Sequence, residues 1–430
     1  MKSCIKHFIR YNSTSSKWTR FVPTTGTYPE GFKVASIHCG IKKNNSQDLA
    51  LLVSEKPANA AAVFTTNQFQ AAPVHISRKN LQVSEGKIQA VIINSGCANA
   101  ITGEQGLKDA QTMTDEVDSI LGNNKASTLV MSTGVIGQLL PIDKITAGIK
   151  KIFGELDASH DSWLRYAKGI MTTDTFPKLV SRKFTIGGKS YSVAGVSKGA
   201  GMISPNMATL LGAIVTDAPV SSSALKSILQ YSVNRSYNCV SVDGDMSTND
   251  TIAALANGEG APITEESPEF EVIKQEFSEV AKDLAKLLVR DGEGATKFVT
   301  LNVNNCTSYE MAHKIAATIS NSPLVKTALF GKDANWGRIL AAIGYTDFGA
   351  PTKLDLTKIS LSFVPTDGSE TLKLLVNGEP QLVNEERASE ILEAEDLEIV
   401  VDIGLGNESC QYWTCDLSHD YVTINGDYRS

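Results

Sequence analysis

A layered α/β architecture is what this sequence predicts, on three grounds. Helix-spaced and strand-like apolar runs alternate along most of the chain, and a hairpin signal interrupts them. The composition is that of an ordinary globular protein, with 42% apolar and 20% charged residues among 430. The length suffices for a large core and for two or three domains or lobes. Hairpins among helix–strand units argue against a purely parallel, doubly wound sheet.

The elements follow in order. Ile88–Ile93 is a short β-branched apolar run ending at Asn94-Ser95-Gly96, which reads as a buried strand entering a loop. Leu107, Ala110, Met113, Val117 and Ile120 recur at helical spacing, with Gly122 as the stop. Thr128–Ser132 reads as a strand that turns at Thr133-Gly134. Pro141 then opens a helix carrying Ile142, Ile145, Ile149 and Ile152 on one face. Phe184–Ile186 and Tyr191–Val196 flank Gly187-Gly188, the hairpin. Leu225, Ile228, Leu229 and Val233 mark a helix, Phe270–Leu288 a longer one, and Leu397–Ile403 a late strand.

Several function classes are excluded. A net charge of -7 disfavours nucleic acid as a partner. No apolar run approaches the roughly 18 residues that would span a bilayer, so no membrane role is expected. The seven cysteines are odd in number and form no C-x-x-C pair, and the six histidines form no H-E-x-x-H. Reduced thiols are therefore expected, with no metal and no bound cofactor.

The first thirty residues differ from the rest. Lys2, Lys6, Arg10, Lys17 and Arg20 are basic, and no acid precedes Glu30. On a helix Ile5, Phe8 and Ile9 fall together, away from Lys2, Lys6 and Arg10. This is the pattern of a mitochondrial presequence, placed at residues 1–20 with the cut near Arg10, and it points to the matrix. A disordered basic tail is the plainer alternative.

The most informative stretch runs from Lys198 to Gly212, KGAGMISPNMATLLG. A Gly-rich, Pro-containing loop leads into the apolar run Leu210–Val215, with Thr209 at the junction. Glycine permits backbone shapes closed to other residues, so the Ala208 carbonyl can be brought against the Thr209 hydroxyl. Attack on that carbonyl followed by hydrolysis would leave Thr209 as a new N-terminus. Its α-amine, with a pKa of about 7.7–8.0, could then serve as general base for its own hydroxyl. Read alone, the loop is better taken as a structural lead-in to a buried strand. Asp243, Asp245 and Asp250 lack the closing Glu of a calcium loop and read as capping or turn residues.

Six ordered blocks add a resemblance. NSGCANAITG at Asn94–Gly103, MSTG at Met131–Gly134, TTDTFPK at Thr172–Lys178, KGAGMISPNMATLLGAIVTD at Lys198–Asp217, SVDGDMSTNDT at Ser241–Thr251 and LFGKDANWGRI at Leu329–Ile339 all resemble motifs of the ornithine acetyltransferase family, ArgJ, in its fungal mitochondrial form. The resemblance runs from about Pro29 to the last residue. Cys97 stands where many bacterial members carry Asn.

The resemblance implies an αββα sandwich, related to N-terminal-nucleophile hydrolases of the aminopeptidase type but distinct in topology. It makes Ala208–Thr209 the self-cleaved bond, giving an α chain at 21–208 and a β chain at 209–430 whose C-terminal lobe begins near 296. Thr209 would be the nucleophile, and Thr133 and Gly134 the oxyanion donors. Thr172, Lys198, Thr209, Glu293, Asn425 and Ser430 would line the substrate site. A Lys suits an α-carboxylate, and a carboxylate such as Glu293 suits ornithine's side-chain ammonium. Without the resemblance, Ser-Thr-Gly is an ordinary turn and Glu293 a solvated loop acid. The implied reaction moves acetyl from N2-acetylornithine to glutamate through an acetyl-Thr209 intermediate, with acetyl-CoA as a second donor. The implied assembly of the two chains is α2β2. The rival readings are a self-processing N-terminal-Thr amidohydrolase or aminopeptidase, with water as acceptor, and a non-catalytic amino-acid-binding protein.

Overall fold

The structure is a computed structural model that describes residues 13–123, 126–204, 210–349 and 353–426. Of the positions singled out above, Ala208, Thr209, Ser430 and the leader up to residue 12 lie outside the described residues.

The first strands are β1 (Phe32–Ile37), β2 (Leu49–Phe64), β3 (Lys87–Cys97), β4 (Thr128–Val135), β5 (Lys178–Ile186), β6 (Lys189–Lys198), β7 (Leu211–Thr216), β8 (Val240–Ser241) and β9 (Thr251–Ala256). All except β8 share one sheet in the order β4-β3-β2-β9-β7-β6-β5, with β1 also on β2. The sheet changes partners along β2. Its first part, Leu49–Val53, pairs with β1 and β3, while Asn59–Phe64 pairs with β9. Pro57, which has no N–H to give, sits where the β2–β3 register shifts between Val53 and Ala58.

The two halves of the sheet face each other across one apolar layer. Leu52, Val91, Ile93, Leu129 and Met131 from one half meet Val196, Leu211, Ala213, Val215 and Leu255 from the other. Helices surround the two halves. These are α1 (Ser13–Phe21), α2 (Ala72–Val83), α3 (Gly103–Ile120), α4 (Ile142–Ile152), α5 (His160–Gly169), α6 (Ser222–Asn234) and α7 (Phe270–Arg290). Ile76, Met113, Val117, Ile145 and Ile149 of α2, α3 and α4 pack on Leu51, Ile92 and Val130. Helices α6 and α7 cover Ile214, Ile252 and Ala254 on the other side. The result is the αββα sandwich. Trp163 and Tyr166 of α5 fill an end of its central layer.

A second sheet holds β10 (Phe298–Cys306), β11 (Ser360–Pro365), β12 (Leu372–Val376), β13 (Glu379–Pro380), β14 (Asp396–Asp402) and β15 (Glu408–Thr414), in the order β13-β12-β11-β14-β10-β15-β8. Helices α8 (Tyr309–Asn321), α9 (Pro323–Phe330), α10 (Trp336–Gly344), α11 (Glu385–Glu393) and α12 (His419–Gly426) accompany it. Its apolar face joins α6 and α7 in one continuous core. From the N-terminal side, Lys17 Nζ donates to the Arg290 carbonyl at 2.9 Å, Arg20 pairs with Glu395 at 2.6 Å, and Phe21 meets Phe176.

Two local expectations are corrected. Asn94-Ser95-Gly96 is not a loop but the continuation of β3, and Thr133-Gly134 is not a turn but the continuation of β4. Each strand is extended by the other, since their parallel pairing runs through Ser95↔Thr133 and Gly96↔Gly134. Leu107 and Ile120 belong to α3 but remain 38% and 42% exposed, because its buried stripe is carried by Ala110, Met113 and Val117. Tyr421–Ile424 lies in α12, a surface helix on which Val422 is 68% exposed.

Phe277 of α7 is wholly buried between the two sheets. Replacing it with Ala should lower stability by about 3–5 kcal/mol, read as a shift of the urea midpoint. A midpoint within error of the parent would mean that α7 is not a shared wall of both cores.

Candidate active site

The strand order puts chemistry-bearing residues around the start of β7. Lys198, the last residue of β6, is opposite Leu211, and Thr251 at the start of β9 is opposite Leu211 on the other side. The Thr251 N–H donates to the Leu210 carbonyl at 3.1 Å. Leu210 and Leu211 are thus held between Lys198 and the Asn249-Asp250 corner.

A cavity of about 250 Å³ opens here. That is slightly below the ~300–1,000 Å³ usual for small-molecule sites, a size suited to an amino-acid derivative. Among the described residues its lining includes Thr133, Gly134, Thr172, Lys198, Glu293 and Asn425. Every described position in the expected site set therefore meets in one space. The lining also includes Ala98, Ile136, Ser247 and Asn249, which the sequence reading did not single out.

One wall is the end of β4. Gly134 has φ +131°, and a Cβ there would lie 2.3 Å from the Gly96 carbonyl carbon, so only glycine fits. The preceding Thr133 is buried, and its hydroxyl accepts a hydrogen bond from Lys198 Nζ at 3.0 Å. Asn249 Nδ2 donates to the Ala98 and Ser132 carbonyls at 2.6 and 2.9 Å, fastening the β9 corner to the same wall. Burial pushes the Lys198 ammonium below its ordinary value, and the Lys178 charge adds to this. Asp174, Asp250 and Glu293 pull it back.

The opposite wall carries the carboxylate. Glu293 follows α7, and its N–H donates to the Ala200 carbonyl at 2.8 Å. Gly201 presses on this side chain so closely that a Cβ would meet Oε2 at 2.3 Å. Asn425 Nδ2 of α12 donates to the same Oε2 at 2.7 Å. Glu293 is accordingly buried rather than a solvated loop acid. The Thr172 N–H donates to Asp174 Oδ2 at 3.0 Å, at the third side of the cavity.

Two of the three acids in the Ser241–Thr251 block act as backbone caps. Asp243 takes the N–H groups of Met202 and Ile203 at 2.6 and 2.9 Å. Asp250 Oδ1 takes the Leu210 N–H at 2.8 Å, while its Oδ2 is buried with no hydrogen-bond partner among the described residues. Burial pushes this carboxyl well above its ordinary value, and the Leu210 N–H, Lys198 and the Ser247 hydroxyl offset only part of that rise.

A pH dependence follows from Asp250. Folded, it keeps its proton to higher pH than in the unfolded chain, where Asp titrates near ~3.9. Between that value and the raised folded one, the native state binds more protons, so stability falls as pH rises. Asp250→Asn removes this term. Relative to that variant, the parent should lose up to about 1.4 kcal/mol per pH unit through the window, read from urea unfolding above pH ~4. Equal slopes would mean that Asp250 is already ionised in the native protein.

The model for the ArgJ family matches residues 33–430. The arginine biosynthesis bifunctional protein ArgJ, mitochondrial, of Aspergillus clavatus is 58% identical over 426 residues, covering 96% of this chain and 94% of that protein. The protein of the same name from Yarrowia lipolytica is 55% identical over 433 residues, covering 99% and 100%. Among solved structures, an ornithine acetyltransferase from Mycobacterium tuberculosis complexed with ornithine is 35% identical, with a TM-score of 0.36, over 42% of this chain and 93% of that one. A family match from residue 33 to residue 430, with relatives more than half identical over nearly the whole chain, makes this chain a member of the ArgJ family.

Proposed function

We propose that this chain is a mitochondrial acetyltransferase of arginine biosynthesis that moves acetyl from N2-acetylornithine to glutamate through Thr209. The observation that carries the reading is the convergence of Thr133, Gly134, Lys198 and Glu293 on one cavity at the entry to β7, the strand that begins two residues after Thr209. Acetyl-CoA serves as a second acetyl donor.

Self-cleavage comes first. The Thr209 hydroxyl attacks the Ala208 carbonyl, the C–N bond breaks as the C–O ester forms, and the hydroxyl proton passes to the new amine. Water then hydrolyses the ester. Intramolecular placement supplies the effective concentration that this attack needs. The sheet explains why the products stay together. The downstream pair β7 and β9 lies between upstream strands β6 and β2, so the α and β chains remain hydrogen-bonded across both seams. Two such pairs form the α2β2 assembly. The Lys17, Arg20 and Phe21 contacts favour a presequence cut near Arg10, ahead of α1.

In turnover the freed α-amine takes the hydroxyl proton as Thr209 attacks the acetyl carbonyl, and gives it to the departing ornithine nitrogen. Glutamate reverses these steps, its amine attacking the acetyl ester. Charge develops on the carbonyl oxygen. The Thr133 hydroxyl accepts from Lys198, which leaves its own proton to donate, and the Gly134 N–H is the second donor. Such donors are worth about 10²–10³ each. Lys198 pairs with the α-carboxylate common to ornithine and glutamate, and Glu293 receives ornithine's side-chain ammonium, with Thr172, Asn425 and Ser430 completing the site.

Four outcomes test this reading. The purified protein should run as two fragments of about 22 and 24 kDa before presequence removal, the larger beginning at Thr209. Thr209→Ala should give one inactive chain, and normal cleavage of that variant would end the mechanism. With N-acetylornithine alone, one acetyl mass should remain on the larger fragment. Free acetate accumulating without glutamate would instead mark a hydrolase. Deleting residues 427–430 removes Ser430, and each lost hydrogen bond to a charged substrate group costs about 1.5–3 kcal/mol. kcat/KM should fall by about ten- to a hundredfold with self-cleavage intact. Unchanged kcat/KM would remove the chain end from the site.

A further inference from the structure

Beneath the cavity lies a charged cluster that the acetyl-transfer steps do not use. Lys178 opens β5, and its side chain is wholly buried together with those of Asp174 and Asp291. Its ammonium is 2.6 Å from Asp174 Oδ1 and 2.6 Å from Asp291 Oδ2, and 3.3 Å from the Phe176 carbonyl, which occupies all three of its protons. The carboxylates are equally engaged. Asp174 also takes the Gly199 N–H at 2.7 Å on Oδ1 and the Thr172 N–H at 3.0 Å on Oδ2. Asp291 also takes the Thr175 N–H at 2.9 Å and the Thr175 hydroxyl.

Through these bonds the cluster reaches three residues of the cavity wall. Thr172 is held directly, Lys198 through the next peptide, and Glu293 from two residues away. The three belong to separate stretches of chain, and among the described residues Lys178 is the group bonded to both Asp174 and Asp291. Its charge also acts on Lys198. Burial is what lowers the Lys198 titration most, with Lys178 lowering it further and Asp174 opposing.

We propose that Lys178 is a positioning residue for the amino-acid substrate. By bridging Asp174 and Asp291 it sets the spacing between Lys198 and Glu293, and hence the length of zwitterion that the cavity accepts. The proposal rests on the reading of Thr172, Lys198 and Glu293 as substrate-binding groups. A buried cation that bridges two anions cannot be removed alone without leaving unpaired charge, so the variant of choice removes one charge of each sign.

The test is the double variant Lys178→Met/Asp291→Asn, assayed as the self-cleaved enzyme. KM for N-acetylornithine and for glutamate should each rise tenfold or more, with kcat within about threefold of the parent and cleavage complete. The limb of the kcat/KM profile on which Lys198 loses its proton should move to higher pH, since the Lys178 repulsion is gone. A lower unfolding temperature with unchanged KM and unchanged pH profile would overturn the proposal. Should the double variant fail to fold, Thr175→Val removes only the hydroxyl bond to Asp291 at an exposed position. It should raise KM by about two- to fivefold, and unchanged KM would likewise overturn the proposal. Lys198→Met and Glu293→Gln separate the two layers of argument. If both leave KM unchanged, the substrate-site reading fails, and the positioning role fails with it.

Discussion

Two short strands, β7 and β9, are the constraint on which the rest of this molecule depends. They pair with each other in parallel and are enclosed by β6 on one side and by the second half of β2 on the other. Every residue of both is buried. Their backbone groups have no water to turn to, so the two flanking strands must supply the remaining hydrogen bonds. That requirement fixes the Lys198↔Leu211 and Thr251↔Leu211 registers, and through them what faces the entry to β7. It would also make the proposed chain break just upstream of β7 tolerable, because the ladder would cross that break on both seams.

Close backbone approach is the second constraint, and glycine meets it at the cavity. Gly134 lies against Gly96 where a Cβ has no room, which keeps β3 and β4 paired up to the wall of the cavity. Gly201 lies against the Glu293 carboxylate, which closes the other wall. These two positions give the cavity its width. A side chain at either would push the walls of the cavity apart.

These constraints explain what was legible in the sequence. The amphipathic helices α4, α6 and α7 and the β5–β6 hairpin follow from spacing, because each buries a stripe or turns within a few residues. The extension of β3 and β4 through Asn94-Ser95-Gly96 and Thr133-Gly134 does not. Both segments carry turn residues, and only their parallel pairing with each other keeps them extended. Asp250 reads as one of three similar acids until the β7–β9 register places it on Leu210. The Asp174–Lys178–Asp291 bridge joins residues more than a hundred positions apart, and no local pattern encodes it. The cavity residues Lys198, Glu293 and Asn425 were reached only through the family resemblance, since a lysine, a loop acid and a near-terminal Asn are individually unremarked.

Charge inside the fold gives these features a common purpose. Burial pushes the Asp174 carboxyl upward, yet the Lys178 and Lys198 ammonium groups together hold it below its ordinary range. Lys178 itself is held charged against its burial by the two acids. Such an arrangement is costly to assemble, and a well-packed apolar cluster could stabilise the same volume as well or better. What the charged cluster adds is fixed direction. Each carboxylate oxygen of Asp174 and Asp291 accepts from a named backbone N–H, hydroxyl or ammonium, and those bonds fix the geometry of the wall. A cavity that holds a small zwitterion, as proposed for this one, needs its own opposite charges at a fixed separation. The buried bridge supplies that separation from beneath, where solvent cannot screen it.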